Sequence, residues 1–166
     1  MILSKTPFRV SFIGGGTDFQ EFYDEFGGQV ISASINRYIY LGINRKFDNL
    51  YRVSYSETEN VDLISKIKHP IVKAVLSNYF KTIPPIEIVS LADIPSQGSG
   101  LGSSSAFSVG LLNLLYYFTN KIKPIYDIAN IACDVEINKC KSPIGKQDQF
   151  GCAFGGLKKI KFNRND

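Results

Sequence analysis

The stretch LADIPSQGSGLGSSSAFSVGLLNLLYYFT, residues 91–119, decides the reading of this chain. It passes from a strand-like end through a run of small residues into a long apolar segment. Residues 97–107 alone hold three glycines and four serines. Such a run is flexible when unfolded, so ordering it costs conformational entropy that something must offset. The segment behind it, residues 103–119, has helical periodicity, with Ala106, Val109, Gly110, Asn113, Leu114 and Tyr117 on one face. A helix N-terminus carries free backbone N–H groups and a partial positive charge. Glycines let the backbone approach an anion closely, and serine hydroxyls add donors. The combination has the physics of a phosphate-binding loop. It is not a Walker loop, because Gly102 is followed by Ser103 rather than by lysine. A plain serine-capped helix is the other reading, but a cap needs one serine and not three.

On either side the chain alternates short strands and helices. Residues 8–13 alternate and are β-rich, which predicts a strand broken by GGGTD at 14–18. Residues 19–26 suit a short helix ended by Gly27-Gly28. Residues 29–47, rich in Ile, Tyr and Val, predict two strands meeting near Asn36-Arg37. A further strand at 51–56 follows the turn signal Asp48-Asn49. Residues 61–68 and 70–80 read as helices, the second opened by Pro70, and a strand at 86–91 follows Pro84-Pro85. Beyond the central helix, Pro124 opens a helix over 124–139, and residues 145–153 form a shorter one. Gly155-Gly156 then leads into an alternating strand at 157–162. The order predicts an α+β domain with no internal repeat.

At 166 residues the chain is long enough for one domain with a real core. It is 44% hydrophobic and 20% charged, which argues against disorder. The net charge of +4 is scattered, and the densest cluster, Lys158, Lys159 and Lys161, alternates with apolar residues. That pattern disfavours nucleic acid and suits a protein handling anionic substrates. Cys133, Cys140 and Cys152 match no zinc spacing, and His69 is the single histidine. Buried free thiols in a reducing cytoplasm are expected. No run reaches the length of a membrane span.

DIPSQGSGLGSSSAF resembles the ATP-binding motif of the GHMP kinases, P-x(3)-G-L-G-S-S-A with some variation. Two other segments match in the right order. TPFRVSFIGGGTD resembles the family's N-terminal substrate motif, P-G-R-V-N-L-I-G-E-H-T-D in galactokinases. SPIGKQDQFG resembles the P-x-G-x-x-D-Q segment that carries the catalytic aspartate. Together the resemblance runs from about Pro7 to Phe162. It implies an α+β fold like domain 2 of ribosomal protein S5, binding ATP and Mg²⁺. In the family a ferredoxin-like C-terminal domain with a third glycine-rich motif follows. No such motif is present in this sequence, so the chain is expected to be the N-terminal, ATP-binding domain, residues 1–166, with the C-terminal kinase domain as its missing partner.

Phosphoryl transfer to an alcohol needs a phosphate cradle, a metal, a group to take or weaken the alcohol proton, and a cation. The resemblance implies a cradle of Gly98, Gly100, Leu101, Gly102, Ser103, Ser104 and Ser105. Ser104 aligns with the serine whose hydroxyl touches Mg²⁺, to within one position. Glu136 is the implied metal carboxylate. Ile128, Ala132 and Glu136 recur every fourth residue, so they share one helical face. A carboxylate ending an apolar stripe either has a partner or marks where the stripe meets solvent. Asp148, in GKQDQ, is the implied base, and Arg9 is the cation that keeps it ionised and steadies charge on the attacking oxygen. From the residues alone, Asp148 also reads as a helix N-terminal acid and Arg9 as a solvent-facing strand residue. Lys146, Gln147 and Gln149 either touch substrate or coat the loop, and Gln147 is assigned to substrate. His69 reads as a surface or helix-entry residue.

The family's Glu-His pair is Gly15-Gly16 here, while Thr17 and Asp18 remain. Losing two polar side chains enlarges the pocket and exposes the amides of Gly14, Gly15 and Gly16, which suits an anion. Asp18 is expected to accept hydrogen bonds from sugar hydroxyls. PFRVSFIGGGTDF and GKQDQFGCAFGG are most similar to the D-glycero-α-D-manno-heptose 7-phosphate kinases. These phosphorylate the anomeric C1 hydroxyl on the way to a GDP-heptose of surface glycans. The fucokinase domains share the GGGTD and GKQDQ style. The resemblance therefore implies a cytoplasmic kinase of a small sugar phosphate, with L-fucose or another small alcohol as the alternative acceptor. A non-catalytic nucleotide-binding module, or one half of a two-chain assembly, is the alternative of another kind.

Overall fold

A hydrophobic face that needs covering, and a strand too long for one partner, shape this molecule. The computed structural model describes residues 1–94 and 99–164. Strand β1 (Ile2–Ile13) lies antiparallel to β2 (Gly28–Arg45), from Ile2 opposite Ile43 to Ile13 opposite Ile31. At 18 residues β2 outlasts any one neighbour on its other edge. Its C-terminal part pairs with β5 (Ile86–Ala92) and its N-terminal part with β6 (Leu157–Phe162), both antiparallel. The short hairpin β3 (Tyr51–Ser54) and β4 (Thr58–Val61) extends the sheet beyond β5, with β3 parallel to β5.

The helices are α1 (Gln20–Phe26), α2 (Pro70–Tyr79), α3 (Ser103–Phe118), α4 (Ile125–Cys133) and α5 (Gln147–Ala153). Helix α3 lies on β1 and β2, α4 packs against it, and α5 touches α3, α4, β1 and β2. The core between sheet and helices includes Phe8, Leu41, Ile43, Ile88, Leu111, Leu112, Leu115 and Ile128, all essentially inaccessible. His69 caps α2, its Nδ1 accepting from the Val72 amide at 3.4 Å, so it is the helix-entry residue expected. The three cysteines are free; Cys133 and Cys152 are buried, and burial pushes both thiols up. No helix among the described residues is long and apolar enough to cross a membrane.

Four local expectations change. Residues 29–47 form one strand rather than two, because the Asn36-Arg37 break is a bulge: Phe8 alone stands opposite residues 35–37 while pairing resumes on both sides. The same irregularity leaves consecutive residues Phe8 and Arg9 both buried. Strand β1 starts at Ile2 rather than at 8, recruited by the length of β2. The expected helix over 61–68 is only a 3₁₀ turn at Ile64–Lys66, preceded by β4, whose polar sequence TENV has no apolar alternation to betray it. Helix α3 is buried nearly all round from Ser105 to Leu112, and Asn113 and Tyr117, grouped by periodicity on one face with Ala106 and Val109, are exposed while those two are buried. A helix clamped between a sheet and two other helices has no single wet face.

Truncating the centre of α3 tests this packing. Leu112→Ala should lower unfolding free energy by about 2–5 kcal/mol, read by urea denaturation. A loss below about 1 kcal/mol would mean that α3 is not the buried centre.

Candidate active site

Helix α3 begins on Gly102, which sits in the left-handed region at φ 76° and ψ 34°. That conformation suits glycine and costs any other residue roughly 1–2 kcal/mol. No side chain caps the helix, so the first-turn amides of Ser103, Ser104 and Ser105 have no intrahelical acceptor. Ser103 and Ser99 share a hydroxyl hydrogen bond of 2.9 Å, and the Leu101 amide donates to Ser99 Oγ at 3.4 Å. Ser104 is exposed, Ser103 half-buried and Ser105 buried. Gly100, Leu101 and Gly102 therefore lead into an uncapped helix start ringed by hydroxyls. Gly98, assigned to the same cradle, lies outside the described residues.

Arg9 comes from β1 to meet this loop. Its Nε and Nη2 lie 2.9 Å and 2.5 Å from Asp148 Oδ1, and its Nη1 donates to the Gly100 carbonyl at 2.8 Å. Its backbone amide donates to the Leu101 carbonyl at 3.1 Å. A side-chain carbon on Gly102 would lie 3.3 Å from the Arg9 Nε, and one on Gly151 3.1 Å from its Cγ. The guanidinium arm thus runs between two glycines, one from the loop and one from α5. Arg9 is 7% exposed, which excludes the solvent-facing reading.

Glu136 sits in a π-helical turn, Asp134–Lys139, that continues α4. π-turns inside helices concentrate at functional sites. The face shared with Ile128 and Ala132 is buried throughout, and Glu136 itself is 1% exposed. Burial pushes its carboxyl above the usual range, while the facing side chains of Ser104, Ser105, Gln149 and Ser108 pull it back. Gln149 Nε2 donates to Glu136 Oε1 at 3.0 Å, so Gln149 belongs to this carboxylate rather than to the loop surface. Ser105 Oγ and Gln149 Oε1 are buried without a hydrogen-bond partner. One buried carboxylate, hydroxyls and orphaned oxygens form a hard-oxygen set beside the helix start. That set fits Mg²⁺, which takes one or two protein carboxylates and completes its shell with phosphate and water. Among the described residues no cluster of three or more His, Cys, Asp or Glu could hold a metal.

The GGGTD turn folds inward on itself. Thr17 donates from its amide to the Gly14 carbonyl at 3.1 Å, its hydroxyl lies 2.8 Å from the same oxygen, and that hydroxyl accepts from the Gln29 amide. The Gly16 amide donates to Asp18 Oδ1 at 3.1 Å, so one of the three amides expected to face an anion is already used. Gly15 approaches Gln147, whose Nε2 would lie 3.7 Å from a side-chain carbon there. Gln147 donates from its amide to Asp18 Oδ2 and from Nε2 to Asp18 Oδ1, and accepts from Ser11 Oγ at 2.7 Å. Two residues here carried no assignment from the sequence. Ser11 lies two residues after Arg9, hence on its side of β1, and Ser108 lies one helical turn beyond Ser104; those spacings were the available signals.

A cavity of about 540 Å³ opens beside Ser103 and Ser104, walled by Tyr55, His69, Leu91 and Phe107. The His69 ring stacks on Phe107 at 4.6 Å and meets the edge of Tyr55 at 4.7 Å. Burial lowers the His69 pKa, although Glu59 opposes it, and the neutral ring suits a flat aromatic wall.

An uncapped, serine-ringed helix start thus lies next to an Arg–Asp pair and a buried carboxylate on a mixed sheet. The family model for the GHMP kinases N terminal domain matches residues 63–156, and the chain belongs to that family. It is 30% identical to the D-glycero-alpha-D-manno-heptose 7-phosphate kinase of Campylobacter jejuni, over 99% of this chain and 51% of that protein. It is 26% identical to the galactokinase of Thermotoga petrophila, over 91% of this chain and 43% of that protein. Among solved structures, that of a D-glycero-D-manno-heptose 1-phosphate kinase from Bacteroides thetaiotaomicron superposes with a TM-score of 0.88 at 26% identity, covering all of this chain and 57% of the other. The chain thus spans about half the length of the curated relatives it matches. The α+β fold implied by the resemblance is the one observed.

The buried Glu136 has a measurable consequence. A raised carboxyl pKa means that the fold disfavours the ionised form. Glu136→Gln should therefore stabilise the ion-free protein near pH 7 by about 1–3 kcal/mol. The gain should be absent well below about pH 4.3, where the carboxyl is protonated in both states, should grow as pH rises from there toward the raised folded value, and should level off above it. Thermal melts with a chelator present read this directly. Destabilisation near pH 7 would show that the carboxylate is satisfied by the protein alone.

Proposed function

We propose that this chain is the ATP-binding part of a sugar kinase that transfers the γ-phosphoryl group of ATP to a sugar hydroxyl. The observation that carries the reading is the contact of Arg9 with Asp148 and Gly100 at the open start of α3. It puts a carboxylate and a cation beside an uncapped helix start, which supports three of the four parts that phosphoryl transfer needs, the metal being the fourth. The amides of residues 103–105 and their hydroxyls hold the phosphates, and the cavity beside Tyr55, His69 and Phe107 takes the base of the nucleotide. Ser104 and Glu136 hold Mg²⁺, which neutralises phosphate charge when bound. Asp148 accepts the proton of the attacking hydroxyl, and Arg9, paired with it, steadies negative charge on the oxygen.

The acceptor is the C1 hydroxyl of D-glycero-α-D-manno-heptose 7-phosphate, placed against residues 14–18 and Gln147. Two observations support that choice: the C. jejuni relative bears that substrate in its name, and Gly15 and Gly16 leave space where galactokinases carry two polar side chains. A ferredoxin-like second domain completes the enzyme on the sugar side, a reading supported by the relatives' greater length. Closure by such a domain would exclude water, so the 166-residue chain alone should phosphorylate sugar slowly or only hydrolyse ATP.

Coupled ADP release, with heptose 7-phosphate, fucose and galactose compared, tests the function. Heptose 7-phosphate should give the highest kcat/KM; a faster reaction with either free sugar would replace the acceptor and leave the kinase standing. Asp148→Asn should lower kcat by about 10²- to 10⁴-fold with MgATP affinity nearly unchanged. Retention of more than about a third of kcat would remove Asp148 as the base, since that loss is far below the general-base range.

A further inference from the structure

The most buried position of β4 is taken by a carboxylate. Glu59 lies opposite Val53 in the β3–β4 pairing, and both are buried, while Thr58 and Asn60 on either side of it are exposed. An inward position of that kind ordinarily goes to an apolar side chain. A buried carboxylate costs free energy unless donors meet it, and three do. Glu59 Oε1 accepts from the Tyr55 hydroxyl and from the His69 amide, each at 3.0 Å, and Oε2 accepts from the Lys68 amide at 2.6 Å. Burial alone would raise the Glu59 carboxyl, but these three bonds hold it below the usual range. Burial and the bond to Glu59 push the Tyr55 hydroxyl up to about 12.

All three donors belong to the wall of the cavity beside Ser103 and Ser104, whereas Glu59 stands behind that wall and is not among its lining residues. Tyr55 comes from the turn between β3 and β4, and His69 from the entry to α2. His69 is held twice, its amide by Glu59 and its Nδ1 by the Val72 amide. Its ring then stacks on Phe107 and meets the Tyr55 ring edge-on. Phe107 lies one helical turn beyond Ser103, so this wall adjoins the serine-ringed start of α3. One carboxylate thus fixes two of the three aromatic side chains of the wall, Tyr55 through its hydroxyl and His69 through its backbone.

We propose that Glu59 is a positioning residue for the nucleotide base: it sets the Tyr55 and His69 rings against which a flat aromatic base packs, without touching the nucleotide itself. The inference rests on the reading above that this cavity takes the base, but the hydrogen-bond knot stands without it. Aromatic side chains contribute to binding a base through face contact. Rings free to turn must be ordered when the ligand arrives, which lowers affinity. Glu59 orders them in advance. Base and phosphates are then held by separate devices, the first dependent on Glu59 and the second on the start of α3.

The test compares wild type, Glu59→Ala, Glu59→Gln and Tyr55→Phe in the full chain by titration calorimetry. Two probes are used, MgATP and magnesium tripolyphosphate, which carries the phosphates without a base. Wild type should bind MgATP at least about tenfold more tightly than tripolyphosphate, the share of a packed base. Glu59→Ala, which frees two rings, should lower MgATP affinity about tenfold and leave tripolyphosphate within about twofold. Glu59→Gln keeps the shape and one oxygen acceptor, so it should recover part of that loss. Tyr55→Phe frees one ring and leaves the carboxylate in place; it should cost about threefold for MgATP alone, and it carries the test should Glu59→Ala not fold. Because His69 is the single histidine, its ring protons give one assignable set of NMR signals. Stacking on Phe107 should shift them upfield in wild type, and Glu59→Ala and Glu59→Gln should move them back toward free imidazole without any ligand present. Unchanged MgATP affinity in the Glu59 variants overturns the proposal, and so does an equal loss for both probes, the mark of general damage. If wild type binds MgATP no more tightly than tripolyphosphate, the base reading has failed, and the His69 signals alone decide whether Glu59 sets the wall.

Discussion

Arg9 cannot be moved without undoing the meeting of three parts of the fold. Its backbone amide fastens β1 to the Leu101 carbonyl, its Nη1 holds the Gly100 carbonyl, and its remaining guanidinium nitrogens face Asp148 at the start of α5. An arginine this buried must have its charge answered and its fork of donors satisfied. One carboxylate answers the charge, and with one carbonyl it engages all three guanidinium nitrogens. The chain makes room for the arm with two glycines, Gly102 and Gly151, drawn from different elements. The bulge opposite Phe8 completes the arrangement, because regular alternation would have sent either Phe8 or Arg9 to the outer face.

The same region concentrates groups that a purely structural core would avoid. Glu136 is buried in a π-turn, Ser105 Oγ and Gln149 Oε1 lack partners, and the α3 amides begin without a cap. Each is unfavourable in the protein alone, and all lie around the start of α3. Under the proposed function a phosphate chain with its cation is what these groups would meet together. Asp18 shows the opposite design. Three protein N–H groups already sit on its carboxylate, and one of them is the first amide of α5.

Much of this was legible in the sequence, and the failures have physical causes. The three motif segments give the Arg9, Asp148 and Ser103–Ser105 region, and the fourfold spacing of Ile128, Ala132 and Glu136 gives the shared face. Periodicity found α3 but grouped exposed Asn113 and Tyr117 with buried residues, since a helix packed on several sides carries no clean apolar stripe. The bulge at residues 35–37 looked like a strand break, because propensity reads Asn-Arg locally and cannot see that β1 pairs on both sides of it. The bond from Asp18 to the start of α5 was hidden for a related reason. A residue capping a helix 129 positions away leaves no local signature.

The central claim is that Arg9 and Asp148 act as one unit at the transfer site. A double-mutant cycle on kcat with Arg9→Ala and Asp148→Asn in the full-length enzyme addresses it most directly. If the two act together, the double variant should lie within about threefold of Asp148→Asn alone, far short of the product of the single effects. If the losses multiply in full, the two side chains work independently, and the contact seen between them is a structural ion pair outside the chemistry.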